Sequence, residues 1–219
     1  MQGVIVFLGP SLEVETAKKF LDAKYLPPAR RGDITKAVNN DAKIIGLIDG
    51  VFFQSSAVAH REILYGLENG VSIVGASSMG ALRAAELYPF GMIGIGKIYE
   101  LYKMGKIVSD DEVALIFDPL TYKPLSEPLI NIRYNIYLAE KEGIIDKKTG
   151  EVLLNLSKGL YYPKRSYEVI FKVAEGKIEE EMLKGFKNFI ETKKRDLKME
   201  DTIIALKKIR DICDSNRDL

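Results

Sequence analysis

The sequence predicts an α/β fold: a parallel sheet flanked by helices in the N-terminal half, followed by an all-helical C-terminal region. Three observations predict it. Short Val/Ile-rich runs, GVIVFLGP, KIIGLIDG and VSIVGAS, alternate with helical segments along the front of the chain. These runs lack polar alternation, which is the pattern of parallel strands buried on both faces between helix layers. From Glu127 onward almost every segment has the spacing of a helix.

The elements follow in order. GVIVFLGP is the first strand, and Ser11 stands where it can cap a helix over LEVETAKKFLDAK. Asp33 starts a short helix before the second strand, KIIGLIDG. In SSAVAHREILYGLENG, Ala57, His60, Leu64 and Leu67 fall at helical spacing and Gly70 is a natural stop. VSIVGAS is the next strand. After Pro89 comes the glycine-punctuated FGMIGIGKIYELYKMG, and VSDDEVALIFDP reads as a further strand with an acidic lead-in. The rear helices are PLINIRYNIYLAEKEG, KTGEVLLNLSKG, YPKRSYEVIFKVAEG and a charged pair at the end. A boundary near Pro119 separates an α/β core over 1–118, which carries the candidate site, from a helical region over 119–219 suited to partner binding or packing.

Composition narrows the function classes. A chain of 219 residues, 47% hydrophobic, can bury a sizeable core, and a formal net charge of +1 provides no overall basic field to recruit nucleic acid. Cys213 is the single cysteine, which excludes an internal disulfide framework and fits a reducing compartment. With one histidine and one distant cysteine, a zinc site lacks ligands. MQGVIVFLGP has no basic n-region or cleavage site of a signal peptide, and no apolar run reaches the ~18 residues of a membrane span. The expectation is a cytoplasmic protein with no cofactor, no metal and no membrane segment.

The segment GASSMGALRAAE joins the third of these strands to a helix through Ser77 and Ser78. Small residues two before and two after Ser78, Ala76 and Gly80, give the logic of a G-x-S-x-G nucleophile elbow. In that geometry Ser78 Oγ sits above a helix N-terminus, with the N–H of Met79 as one oxyanion donor and that of Gly9 or Gly50 as the second. The lone His60 is the available base, and Asp49, at the end of the preceding strand, is a candidate to orient it. Each feature also has a plainer reading. Small residues serve close packing, a serine caps a helix, a histidine on an apolar stripe belongs to the core, and Asp49–Gly50 forms a turn. Arg30, Arg31 and Asp33 form a charged loop after Pro27–Pro28 that could hold a carboxylate or phosphate. Asp110, Asp111 and Glu112 offer oxygens to Mg²⁺ or form a solvated loop.

Across its front half the sequence resembles the TfuA-like family. The resemblance lies in VFLGPSL (Val6 to Leu12), PPARRGDI (Pro27 to Ile34), IGLIDGVFFQSSAVAHREIL (Ile45 to Leu64), GVSIVGASSMGALRAAEL (Gly70 to Leu87), FGMIGIGKIYELY (Phe90 to Tyr102) and DDEVAL (Asp110 to Leu115). It implies a partner of a YcaO enzyme in peptide-backbone thioamidation. Such a protein is expected to recruit a ThiS-like sulfur carrier and to hydrolyse its C-terminal thiocarboxylate, releasing sulfide; in methanogenic archaea the modified target is methyl-coenzyme M reductase. Ser78 is then the expected nucleophile and His60 the base, with Arg31 or Arg83 steering the anionic thiocarboxylate. A non-catalytic adaptor that brings carrier to YcaO, or activates YcaO, is the alternative.

Overall fold

The structure, a computed structural model, describes residues 3–52 and 56–215. Phe53, Gln54 and Ser55, which include the expected helix start at Ser55, lie outside the described residues, as do the two chain ends. Two compact units are formed: residues 3–110 with 198–215, and residues 111–197.

In the first unit, the apolar runs become strands β1 (Val4–Phe7), β3 (Ile44–Leu47) and β4 (Ser72–Ala76). Two short edge strands complete the sheet, β2 (Lys24–Leu26) and β5 (Ile93–Ile95). All pairings are parallel and the order is β2-β1-β3-β4-β5, with Val4 opposite Ile44, Ile44 opposite Ser72 and Val74 opposite Ile93. Sequence reading passes over the two edges for a physical reason. KYL is partly exposed and too short to form an apolar run, and the IGI strand is interrupted by Gly94.

Helices cover both faces, as the uninterrupted apolar strands require. On one face lie α2 (Asp33–Asn39), α3 (His60–Glu68), α4 (Met79–Leu87) and α5 (Lys97–Lys103), whose Ile34, Ala37, Ile63, Ala84 and Leu87 pack on Ile5, Ile45, Leu47 and Ile73. The other face is closed by α1 (Val14–Ala17) and by the long α10 (Leu197–Ser215), whose Ala205, Leu206, Ile209 and Cys213 meet Val4, Val6, Ile48 and Val74. Sequence reading gives this segment only as one of a charged pair of helices, not the surface it covers.

Asp201 explains how α10 is held. Its two carboxylate oxygens accept the backbone N–H groups of Lys97 and Ile98, the first turn of α5, at 3.0 and 2.8 Å. A side chain at Gly96, where φ is +94°, would strike that carboxylate. Burial pushes the Asp201 carboxyl up to about 6, outweighing the two N–H groups that favour its ionised form.

The second unit is built from α6 (Leu129–Lys141), α7 (Lys147–Lys158), α8 (Tyr167–Ala174) and α9 (Glu180–Lys193) around Ile132, Ile136, Leu153, Ile170, Phe186 and Phe189. Capping is visible at the residue level, with Asp146 accepting from Thr149 N and Ser166 from Val169 N.

Two local expectations are corrected. The helix expected over LEVETAKKFLDAK is the single turn α1, begun by Glu13 with no side-chain cap, because Ser11 turns to Asp49 instead. The strand expected in VSDDEVALIFDP is a 3₁₀ turn over Asp110–Glu112, followed by one isolated bridge between Phe117 and Pro124. Two of its acidic residues pair with arginines of their own unit: Asp111 with the buried Arg165, and Glu112 with Arg133 through both oxygens.

Candidate functional site

The strand order 2-1-3-4-5 puts a topological switch between β1 and β3, and ligands in such sheets usually bind at the carboxyl ends of those strands. Here the protein's own side chains occupy that place. Asp49, 2% exposed, accepts the N–H groups of Gly9 (2.9 Å) and Ser11 (3.0 Å) on Oδ2 and the Ser11 hydroxyl (2.7 Å) on Oδ1. The Ser77 hydroxyl lies 3.1 Å from Ser11 Oγ and 2.9 Å from the carbonyl oxygen of Lys198, sharing its one hydrogen between them. A buried chain of oxygens therefore links β3, the loop after β1, the bend after β4 and the start of α10.

That bend is tight and strained. Ser77 has φ +65°, a conformation that costs a non-glycine residue roughly 1–2 kcal/mol. Its hydrogen bonds explain why a serine is kept where glycine would relax the backbone. The positive φ thus falls at Ser77, one residue before the centre of the expected elbow. Packing accounts for the glycines around it. A Cβ on Gly80 would lie 1.6 Å from the carbonyl oxygen of Leu47, and one on Gly75 would lie 2.2 Å from that of Gly80.

Ser78 is the N-cap residue of α4, yet its side chain makes no capping bond, and among the described residues its Oγ has no hydrogen-bond partner. The plainer reading of a capping serine therefore finds no bond to rest on. Beyond it, Met79 occupies the first helical position, where helix geometry supplies no acceptor for the N–H. The next N–H, from Gly80, goes to the carbonyl of Ile48.

Beside this helix start is a cavity of about 290 Å³, lined by Arg31, His60, Met79, Leu82, Arg83 and Asp110 among others. Four expected residues, Arg31, His60, Met79 and Arg83, thus share its lining. The guanidinium Nε atoms of Arg31 and Arg83 donate to consecutive carbonyls, those of Ala57 (3.5 Å) and Val58 (3.1 Å). Glu86 completes the group: its Oε2 lies 2.8 Å from His60 Nε2 and also accepts from Arg83 Nη1. Because an ionised carboxylate can only accept, this contact puts the imidazole proton on Nε2 and leaves the lone pair on Nδ1.

Asp49 and His60, expected as partners, share no hydrogen bond among the described residues; the carboxylate against His60 is Glu86. Of the expected oxyanion donors, Gly9 N is committed to Asp49, whereas Gly50 packs its backbone against the Met79 side chain. Glu86 was legible in one respect, since Met79, Leu82, Arg83 and Glu86 recur at three- and four-residue intervals along one helix face. Nothing in that spacing tells which face meets His60.

Fold and site together define an α/β protein with a cavity lined by Arg31, His60, Arg83 and Asp110 beside a strained serine turn. The family model described as TfuA-like protein matches residues 49–166, more than half of the chain. This chain belongs to the TfuA-like family. The match includes Asp49, His60, Ser77, Ser78, Arg83 and Glu86, leaves out β1, β2, β3 and Arg31, and runs on into the helical unit. No match is found among curated proteins. No helix among the described residues is long and apolar enough to cross a membrane.

Proposed function

We propose that this protein is the partner of a YcaO enzyme in peptide-backbone thioamidation, and that it supplies sulfide by hydrolysing the C-terminal thiocarboxylate of a ThiS-like carrier. One observation carries the reading. Arg31, Arg83 and His60 converge on a single cavity at the start of α4, directly after a serine whose hydroxyl does no capping. A thiocarboxylate is an anion that resists nucleophilic attack, so its charge must be met by cations before a serine can add to it. The two guanidiniums answer that need, and their Nε anchors hold them in place beforehand.

In the proposed reaction Ser78 Oγ attacks the thiocarboxyl carbon and its proton passes to His60 Nδ1, while Glu86 holds Nε2. Charge developing on the carbonyl oxygen is met by the N–H of Met79 and by the positive end of α4. As the C–S bond breaks, the imidazolium returns the proton to sulfur and hydrosulfide departs, leaving an ester on Ser78. Water, deprotonated by the same nitrogen, then attacks that ester; the imidazolium returns the proton to Ser78 Oγ as the C–O bond to serine breaks, and the carrier leaves with a free carboxyl group that ionises in solvent. Asp49 serves the fold in this scheme, by fixing the loop of Gly9 and Ser11.

The test is sulfide release from a thiocarboxylated ThiS-like carrier, measured with wild type and with Ser78→Ala. The reading expects release by the wild type and loss of it in the variant. A second reading, the non-catalytic adaptor, is favoured by a different observation: Ser78 is 2% exposed and does not line the cavity. An adaptor predicts that Ser78→Ala leaves YcaO-dependent thioamidation intact.

A further inference from the structure

A second cavity, of about 380 Å³, adjoins the first through Arg31, which lines both. Its wall is formed by Arg31, Gly32, Thr35, Arg61, Glu62 and Tyr65. The charges in it are unequally available. Glu62 is 5% exposed and spends both oxygens on the protein's own backbone, Oε2 on the N–H of Gly32 (2.7 Å) and Oε1 on that of Ala59 (3.2 Å). Tyr65 donates its hydroxyl hydrogen to Asn39. Arg61 is exposed and makes no ion pair or hydrogen bond among the described residues. The cavity is therefore open and basic, its one carboxylate turned inward.

From this we propose that the second cavity binds acidic residues of the peptide segment directly upstream of the anionic terminus held in the first. The inference rests on the reading of the first cavity given above, and adds which tail is accepted. A peptide whose end lies between His60 and Arg83 can leave past the shared Arg31, which brings its preceding residues to Arg61 and Thr35. An aspartate or glutamate there gains two guanidinium partners, whereas a lysine is repelled by both. The first cavity recognises the charged end that every such tail has; the second discriminates between tails.

Short fluorescent peptides ending in Gly-Gly with a free carboxylate, carrying either Glu or Lys just before the glycines, test this by anisotropy. Wild type is expected to bind the Glu peptide about fivefold more tightly, with the preference shrinking at high salt because both arginines meet solvent. In Arg61→Glu the preference should vanish or reverse; Arg61 is exposed, so this variant keeps the fold. Equal affinity for the two peptides, binding of neither, or an unchanged preference in Arg61→Glu would overturn the proposal. These peptides are hydrolysis products, so the outcome does not depend on catalysis. Sulfide release from a bare diglycyl thiocarboxylate tests the chemistry separately.

Discussion

Alanine at Gly80 should reverse the usual effect of that substitution. In a helix interior, glycine to alanine stabilises by about 1 kcal/mol, because alanine has less backbone freedom to lose. Gly80 lies in the first turn of α4, where a Cβ would stand 1.6 Å from the Leu47 carbonyl oxygen and 2.7 Å from its carbon. Reaching even a 3.0 Å contact requires a separation about 1.4 Å larger, and the obstacle is the backbone of a central strand rather than a movable side chain. The helix start must therefore lift from β3, breaking the bond from Gly80 N to Ile48 O and carrying Ser78 and Met79 with it. Overpacking and the lost bond together give a net destabilisation of about 3 kcal/mol, read as a drop in Tm of about 6–12 °C for a chain of this size. Because about 1 Å of misplacement can cost ~100-fold in rate, sulfide release should fall further than stability alone explains. The control is Gly159→Ala, where φ is −70° and the nearest atom to the new Cβ is 3.5 Å away; it should stay within about 0.5 kcal/mol of wild type. Urea denaturation of the three proteins decides the matter. A Gly80→Ala protein as stable as wild type would refute the account of the crowded bend.

Three further substitutions probe two buried carboxylates. Asp49→Ala leaves the N–H groups of Gly9 and Ser11 and the Ser11 hydroxyl without their acceptor, and should cost about 3 kcal/mol. Asp49→Asn keeps one oxygen for the N–H groups and can reverse the Ser11 bond, so its loss on denaturation should be at least about 1 kcal/mol smaller. For Asp201 the folded carboxyl, at about 6, holds its proton more tightly than the unfolded one at 3.8. Its contribution to stability is thus greatest below about pH 4 and declines as pH rises to about 6, by roughly 3 kcal/mol in all. Asp201→Asn should remove that decline, so the gap between wild type and variant narrows from pH 4.5 to pH 7.5; a gap that stays constant would contradict the assignment.

What could be read in the sequence follows from which forces act locally. The buried strands declared themselves through β-branched runs, and the rear helices through their spacing, because each pattern records burial against a neighbour. The edge strands β2 and β5 did not, since an edge strand of three residues buries too little to leave a pattern. Arg31, His60 and Arg83 were legible as chemistry and converge in space. The pairing of His60 was not, because the choice between Asp49 and Glu86 depends on whether the last turn of α4 or the end of β3 faces the imidazole. Ser11 shows the same limit: its position suited a helix cap, and the stronger acceptor, an ionised carboxylate from another strand, took its hydrogen. Likewise, the end of the chain reads as a charged pair of helices, but only the fold shows that the last of them closes the sheet begun some two hundred residues earlier.

The most direct test of the central claim is a rapid quench of the protein with thiocarboxylated carrier, followed by intact-mass analysis. The account predicts a transient covalent species with the summed mass of the two proteins less one H₂S, mapped to the peptide containing Ser78 and absent from Ser78→Ala. Sulfide released at the wild-type rate by Ser78→Ala, with no covalent species in either protein, would contradict it.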